Sequence, residues 1–134
     1  MVKKKLLASI KPVNTIYVRK AMVSGQGLSR GRLHFGNRHI PCVLGRSGIV
    51  TGKKEGDGAT PRGEYEILGC FYRQDRIGRP VTRLAMSRIQ KDDGWCDQPD
   101  HGQYNRQVKL PFAGRHERLW RDDRLYDTVL ILDY

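Results

Sequence analysis

An all-β fold is predicted by three features of the sequence. Fifteen glycines and six prolines are spread along 134 residues, so turns are frequent. Apolar residues fall in short clusters of strand length, several with two-residue alternation. No segment carries the apolar spacing of a long amphipathic helix. The length fits one domain over residues 1–134, with no repeat, low-complexity tract or internal boundary.

The elements follow in order. Residues 13–19 read as a first strand, and Leu28 to Phe35 as a second, with Leu33 and Phe35 alternating with Arg32 and His34. Gly36-Asn37 is a two-residue hairpin signal, and His39 to Leu44 returns as the partner. His34 and His39 are expected to face solvent. A long polar loop runs from Gly45 to Gly63, and Glu64 to Tyr72 is the next strand. Arg73 to Gln107 reads as irregular, with a short strand at Leu84–Ile89; loops of that length in a compact domain are uncommon and often functional. Val108 to Pro111 is short and extended, and Glu117 to Arg121 is read as one helical turn. Leu125 to Tyr134 is the most strand-like segment of all.

Charge is unevenly placed. Residues 1–60 hold 12 Lys and Arg against 2 Asp and Glu, whereas residues 61–134 hold 13 against 12. A basic half favours an anionic partner, or is simply a soluble basic surface. Tyr17, Arg19, Arg32, His34 and Phe35 offer a thin version of a nucleic-acid-binding sheet face, but no RNA-binding signature accompanies them. Mean hydropathy of -0.62 places the chain on the polar side of globular proteins. Recurrent Ile, Leu, Val, Tyr and Trp clusters still exclude disorder.

Cys42, Cys70 and Cys96 form neither a CxxC pair nor a metal spacing, and an odd count argues against a disulfide framework. Cys42 and Cys70 sit in apolar strand contexts and read as small buried hydrophobes. Cys96 has His101 five residues on, but three neighbouring aspartates oppose a thiolate, so a structural thiol beside a packed Trp95 is expected. The Cys96/His101 pair is too sparse for zinc. Arg115-His116-Glu117 suits an oriented base or a surface turn, and Asp92-Asp93 a capped turn. The N-terminal Met1 to Ile10 opens with lysines like a signal peptide, but Lys11 and Pro12 interrupt it. No stretch approaches the roughly 20 apolar residues of a membrane span.

The most informative stretch is Gly56-Asp57-Gly58-Ala59-Thr60-Pro61-Arg62-Gly63 followed by Glu64-Tyr65. Glycine supplies positive φ, and Pro61 fixes its own φ while pushing Thr60 from the helical region. Taken alone, these residues suit a tight connection or a shaped site equally. The stretch resembles the Gly-Asp-Gly-x-Thr-Pro-x-Gly-x-Tyr/Phe signature of the L,D-transpeptidase (YkuD-like) family of peptidoglycan enzymes. The likeness continues in register through Pro41 to Gly48, Phe71-Tyr72-Arg73-x-Asp75-Arg76, Asp93-Gly94-Trp95-Cys96-Asp97, Tyr104-Asn105-Arg106, Leu119-Trp120-Arg121-x-Asp123 and Leu125-Tyr126-Asp127.

The resemblance implies a β-sandwich of mixed sheets with long loops around a cleft. It implies acyl transfer through a cysteine thioester on the peptide stems of peptidoglycan, in the periplasm or cell envelope, with no metal or other cofactor. Asp93, Trp95, Tyr104 and Asn105 are the substrate-binding residues it points to. One departure is large: the family's catalytic His and its Ser-x-Gly-Cys nucleophile element occur nowhere in these residues. The chain therefore reads as truncated before them, with no catalytic residue, no family activity of its own and an incomplete C-terminal sheet. An open sheet edge would favour self-association. The alternative is a non-catalytic basic β-protein that binds cell wall or nucleic acid; a nucleic-acid partner is not expected.

Overall fold

The computed structural model describes residues 13–22 and 27–134. The expectation for Met1 to Pro12 lies outside them. The described residues form eleven strands and no helix, and the chain packs as two compact units, Met1–Gly63 and Glu64–Tyr134.

The first unit is built on an antiparallel sheet of β1 (Tyr17–Lys20), β2 (Arg30–Phe35) and β3 (Arg38–Val43), in that order. Gly36 takes φ +55 at the first central position of the β2–β3 turn, where a two-residue hairpin needs a positive value. Directly opposed residues share a sheet face. The register therefore sets Val18, Lys20, Leu33, Ile40, Gly31, Cys42, Phe35 and Arg38 on one face, and Tyr17, Arg19, Arg30, Arg32, His34, His39, Pro41 and Val43 on the other. A Cβ on Gly31 would stand 2.9 Å from the Leu44 side chain, so only glycine lets that buried leucine seat on the strand. Phe35 thus departs from the basic set it was grouped with. His39 is exposed as expected, whereas His34 is half-buried, their rings 5.9 Å apart.

The loop from Gly45 to Gly63 is more ordered than its polarity suggests. It contains a parallel pair, β4 (Ile49–Val50) and β5 (Thr60–Pro61). Gly45 N–H donates to Thr60 Oγ1 at 2.8 Å, and Ser47 N–H to Gly58 O at 3.0 Å. The Asp57 carboxylate accepts from Ala59 N–H at 2.8 Å, Lys54 N–H at 2.7 Å and Lys53 Nζ at 3.0 Å. Those backbone donors, Ala59 first, hold its pKa below the usual carboxylate range. Gly56 and Gly58 take φ +81 and +67. The signature is a folded brace.

The second unit holds two sheets. One is mixed: β6 (Ile67–Tyr72) lies between antiparallel β11 (Thr128–Leu132) and parallel β7 (Met86–Arg88). The other is antiparallel, with β8 (Asp93–Cys96) between β10 (His116–Arg118) and β9 (Gln107–Lys109). Cys70, Tyr72, Ile89, Cys96, Val108 and Leu119 form its core. A cationic knot ties the end of β6 to the segment before β11. Arg73, 3% exposed, grips Asp75 with two hydrogen bonds of 2.8 Å, donates to Arg121 O at 2.8 Å and lies 3.7 Å over the Trp120 ring. Arg76 reaches Asp127 Oδ1 at 3.0 Å and the carbonyls of Asp122 and Asp123.

Two expectations are corrected here. Glu117 to Arg121 is not helical: its start belongs to β10, because His116, Glu117 and Arg118 pair with Cys96, Trp95 and Gly94. The stretch read as irregular contains β8, the middle strand of its sheet. Smaller shifts affect the ends: residues 13–16 precede β1, and Glu64 to Glu66 precede β6.

Candidate substrate-binding site

β8 positions two of the four predicted substrate residues. Asp93 and Trp95 project from one face of the strand, with Gly94 and Cys96 on the other. Asp93 is 1% exposed, and its carboxylate is occupied. Oδ2 accepts from Gln90 N–H at 2.7 Å, and Oδ1 accepts from Gln107 Nε2 and Lys109 Nζ, each at 2.8 Å. Lys109 also holds Asp92 at 2.9 Å, and hydrogen bonds to Asp92 and then Asp93 raise its pKa. Asp93 therefore clamps the turn entering β8 to the neighbouring β9.

Trp95 and Asn105 do come together. The half-buried indole donates to Asn105 Oδ1 at 3.1 Å, and Asn105 Nδ2 donates to Tyr134 O at 2.7 Å. Asn105 N–H also bonds Cys96 O at 2.9 Å. Asn105 takes φ +56, the left-handed region that asparagine tolerates better than most residues. Tyr104, next in the chain, closes the preceding turn with its N–H on His101 O at 2.8 Å. Tyr134 stacks edge-on to Tyr65, 5.4 Å between centroids. Trp95 and Asn105 thus form one ledge, with Tyr104 next to Asn105 in the chain, while the Asp93 carboxylate is taken up by Gln90, Gln107 and Lys109.

The opposite face of β8 borders a shallow cavity of about 490 Å3. Leu110, Pro111 and Phe112 line it with His116, Arg118 and Lys91. The His116 ring stands edge-on to Phe112 at 5.8 Å, and its Nδ1 lies 2.7 Å from Gly114 O. A carbonyl can only accept, so Nδ1 donates to it. Arg118 and Lys91 take part in no ion pair among the described residues. Sequence reading weighed His116 as a base but missed the pocket, because residues 91, 112 and 118 converge only through the β8–β10 register.

No cysteine is presented as a nucleophile. Cys96 is fully buried, and although His116 opposes it in register, no hydrogen bond joins them among the described residues. Cys70 is 2% exposed and Cys42 half-buried; burial pushes both thiols up, away from thiolate. Cys96 and Cys70 are buried, and Cys42 is less buried than expected. Among the described residues no group of three or more His, Cys, Asp or Glu could hold a metal ion. No helix among them is long and apolar enough to cross a membrane.

Comparison with curated proteins and with solved structures yields no significant match. The family comparison is positive: the chain matches the YkuD model, the L,D-transpeptidase catalytic domain, over residues 25–129, and it belongs to that family.

Proposed function

We propose that this chain is a single domain of the peptidoglycan L,D-transpeptidase type whose 134 residues supply the substrate-facing scaffold and not the nucleophile. The family match over residues 25–129 carries the reading. In the family reaction a cysteine thiolate attacks the carbonyl of an L,D peptide bond in a tetrapeptide stem. The amine of D-alanine leaves with a proton, and a thioester remains. An acceptor amine then attacks the thioester and frees the thiolate. That chemistry belongs to the periplasm or envelope and uses peptide stems as substrate.

The ledge of Trp95 and Asn105, with Tyr104 next in the chain, suits such a stem: an aromatic surface lies beside an amide that keeps one N–H and one acceptor site beyond its bonds to Trp95 and Tyr134. Asp93 contributes by holding β8 in register. The three cysteines are buried or half-buried, which supports a binding role without turnover by these residues. A non-catalytic basic β-protein of the wall is the second reading, favoured by that same observation.

The test uses a synthetic tetrapeptide stem. On titration, the Trp95 indole N–H resonance should shift with saturation, and no D-alanine should be released. D-Alanine release would contradict the claim about the nucleophile, and an unmoved Trp95 resonance would remove the ledge from the site.

A further inference from the structure

One face of the first unit's sheet carries three exposed arginines set among apolar and aromatic side chains, while Lys20 and Arg38 fall on the other face. By register, Tyr17, His34 and His39 lie abreast across the three strands, Arg19, Arg32 and Pro41 form the next row, and Arg30 and Val43 the third. All but His34 are exposed, Val43 at 86% and Tyr17 at 55%. Arg19, Arg30 and Arg32 make no ion pair among the described residues. The acidic residues described in this unit, Glu55 and Asp57, stand in the loop between β4 and β5, and Asp57 is already taken by Lys53 and two backbone N–H groups. By register, no acidic residue lies on this face among the described residues.

We propose that this face docks the protein onto an anionic phospholipid surface. Charge complementarity to such a surface is joined by the side chains that lie between the charges. Three arginines across two strands, about 4.8 Å apart, can each meet a lipid phosphate. Val43 and Pro41 project from the same face, and the exposed Tyr17 has the amphipathic ring that settles at headgroup level. A nucleic acid gains nothing from Val43 or Pro41, and the Tyr17 ring is overhung by Arg19, its guanidinium 5.7 Å from the centroid. Docking of this kind needs no membrane span, and it stands apart from the enzymatic reading.

The test is co-sedimentation of the full chain with vesicles, either pure phosphatidylcholine or three parts phosphatidylcholine to one part phosphatidylglycerol. Binding to the mixed vesicles alone is expected. Each arginine removed should weaken it roughly fivefold, and the triple variant Arg19→Gln, Arg30→Gln, Arg32→Gln about a hundredfold. A control with the same charge change, Arg79→Gln, Arg83→Gln, Arg124→Gln, should retain most of the binding. Circular dichroism and the thermal midpoint confirm that each variant folds, and Val43→Asp supplies an independent variant expected to weaken binding. Equal binding to neutral vesicles, equal loss in the control, or no binding to the mixed vesicles would overturn the proposal. A single-stranded oligonucleotide that strips the protein from vesicles, and is itself bound through the three arginines, would reassign the face to nucleic acid and also overturn it.

Discussion

Replacing Asp93 separates a structural carboxylate from a substrate-binding one. The side chain is 1% exposed and accepts two inner hydrogen bonds, from Gln90 N–H at 2.7 Å and Gln107 Nε2 at 2.8 Å. Hydrogen bonds to a charged group contribute about 1.5–3 kcal/mol each, so the two are worth about 3–6 kcal/mol before compensation. Asp93→Ala also relieves the desolvation of a buried carboxylate, and water can reach the exposed Gln90 and Gln107 after the change. The net loss should be about 2–4 kcal/mol, a large share of the about 5–15 kcal/mol that holds a domain together. Asp93→Asn keeps one oxygen but turns an N–H2 toward either the Gln90 N–H or the Gln107 and Lys109 donors, so about 1–2 kcal/mol should go. Urea titration at neutral pH reads both, provided the slope is unchanged. Gln107→Ala should be strongly non-additive with Asp93→Ala, since both remove the same bond. A loss below about 0.5 kcal/mol for Asp93→Ala would refute the clamp and return Asp93 to the substrate list.

Three further outcomes follow from the same geometry. Asp57 is held below the ordinary aspartate pKa of about 3.9, so its stabilisation is present above that value and fades as pH falls through its own lower pKa. The melting difference between wild type and Asp57→Asn should be full at neutral pH and vanish in strong acid; a difference independent of pH would contradict it. Gly45→Ala sets a Cβ against Gly58 O and 2.6 Å from the Ala59 carbonyl carbon, so backbone must move and about 1–3 kcal/mol should be lost. An unchanged denaturation midpoint would show that Gly45 and the Gly58–Ala59 backbone do not approach so closely. Arg73→Met should lower the thermal midpoint more than Arg73→Lys, which keeps the charge but loses the two-point grip on Asp75 and the plane over Trp120. An Arg73→Lys midpoint equal to that of the wild type would remove the fork from the account.

Much of this was legible because local chemistry and tertiary demand agree. The Gly36-Asn37 hairpin and the terminal β11 obey two-residue alternation and turn preference, which need no partner to recognise. The family tags were legible too, and the structure explains why they occur together. Tags at 71–76, 119–123 and 125–127 meet in the Arg73 and Arg76 knot, and those at 93–97 and 104–106 meet at Trp95 and Asn105. Those at 41–48 and 56–63 close on Gly45 and Gly58. β8 was missed for a physical reason. Asp93-Gly94 reads as a turn until the carboxylate gains the Gln107 hydrogen bond and the Lys109 charge. Gly94 makes sense only where a Cβ would press to 3.0 Å against Leu110. His116 to Arg118 likewise takes its strand form from pairing with β8, not from its own propensity. The cavity beside His116 depends wholly on that register.

The account's central claim is that these residues form an L,D-transpeptidase-family scaffold in which none of the three cysteines is the nucleophile. Incubation of the native protein with excess carbapenem, an acylating analogue of the family's substrate, followed by intact-mass measurement, tests it directly. The account predicts an unchanged mass, because Cys96 and Cys70 are buried and burial holds the Cys42 thiol above its usual range. A stoichiometric adduct on one of these cysteines, formed while the protein is folded, would contradict it.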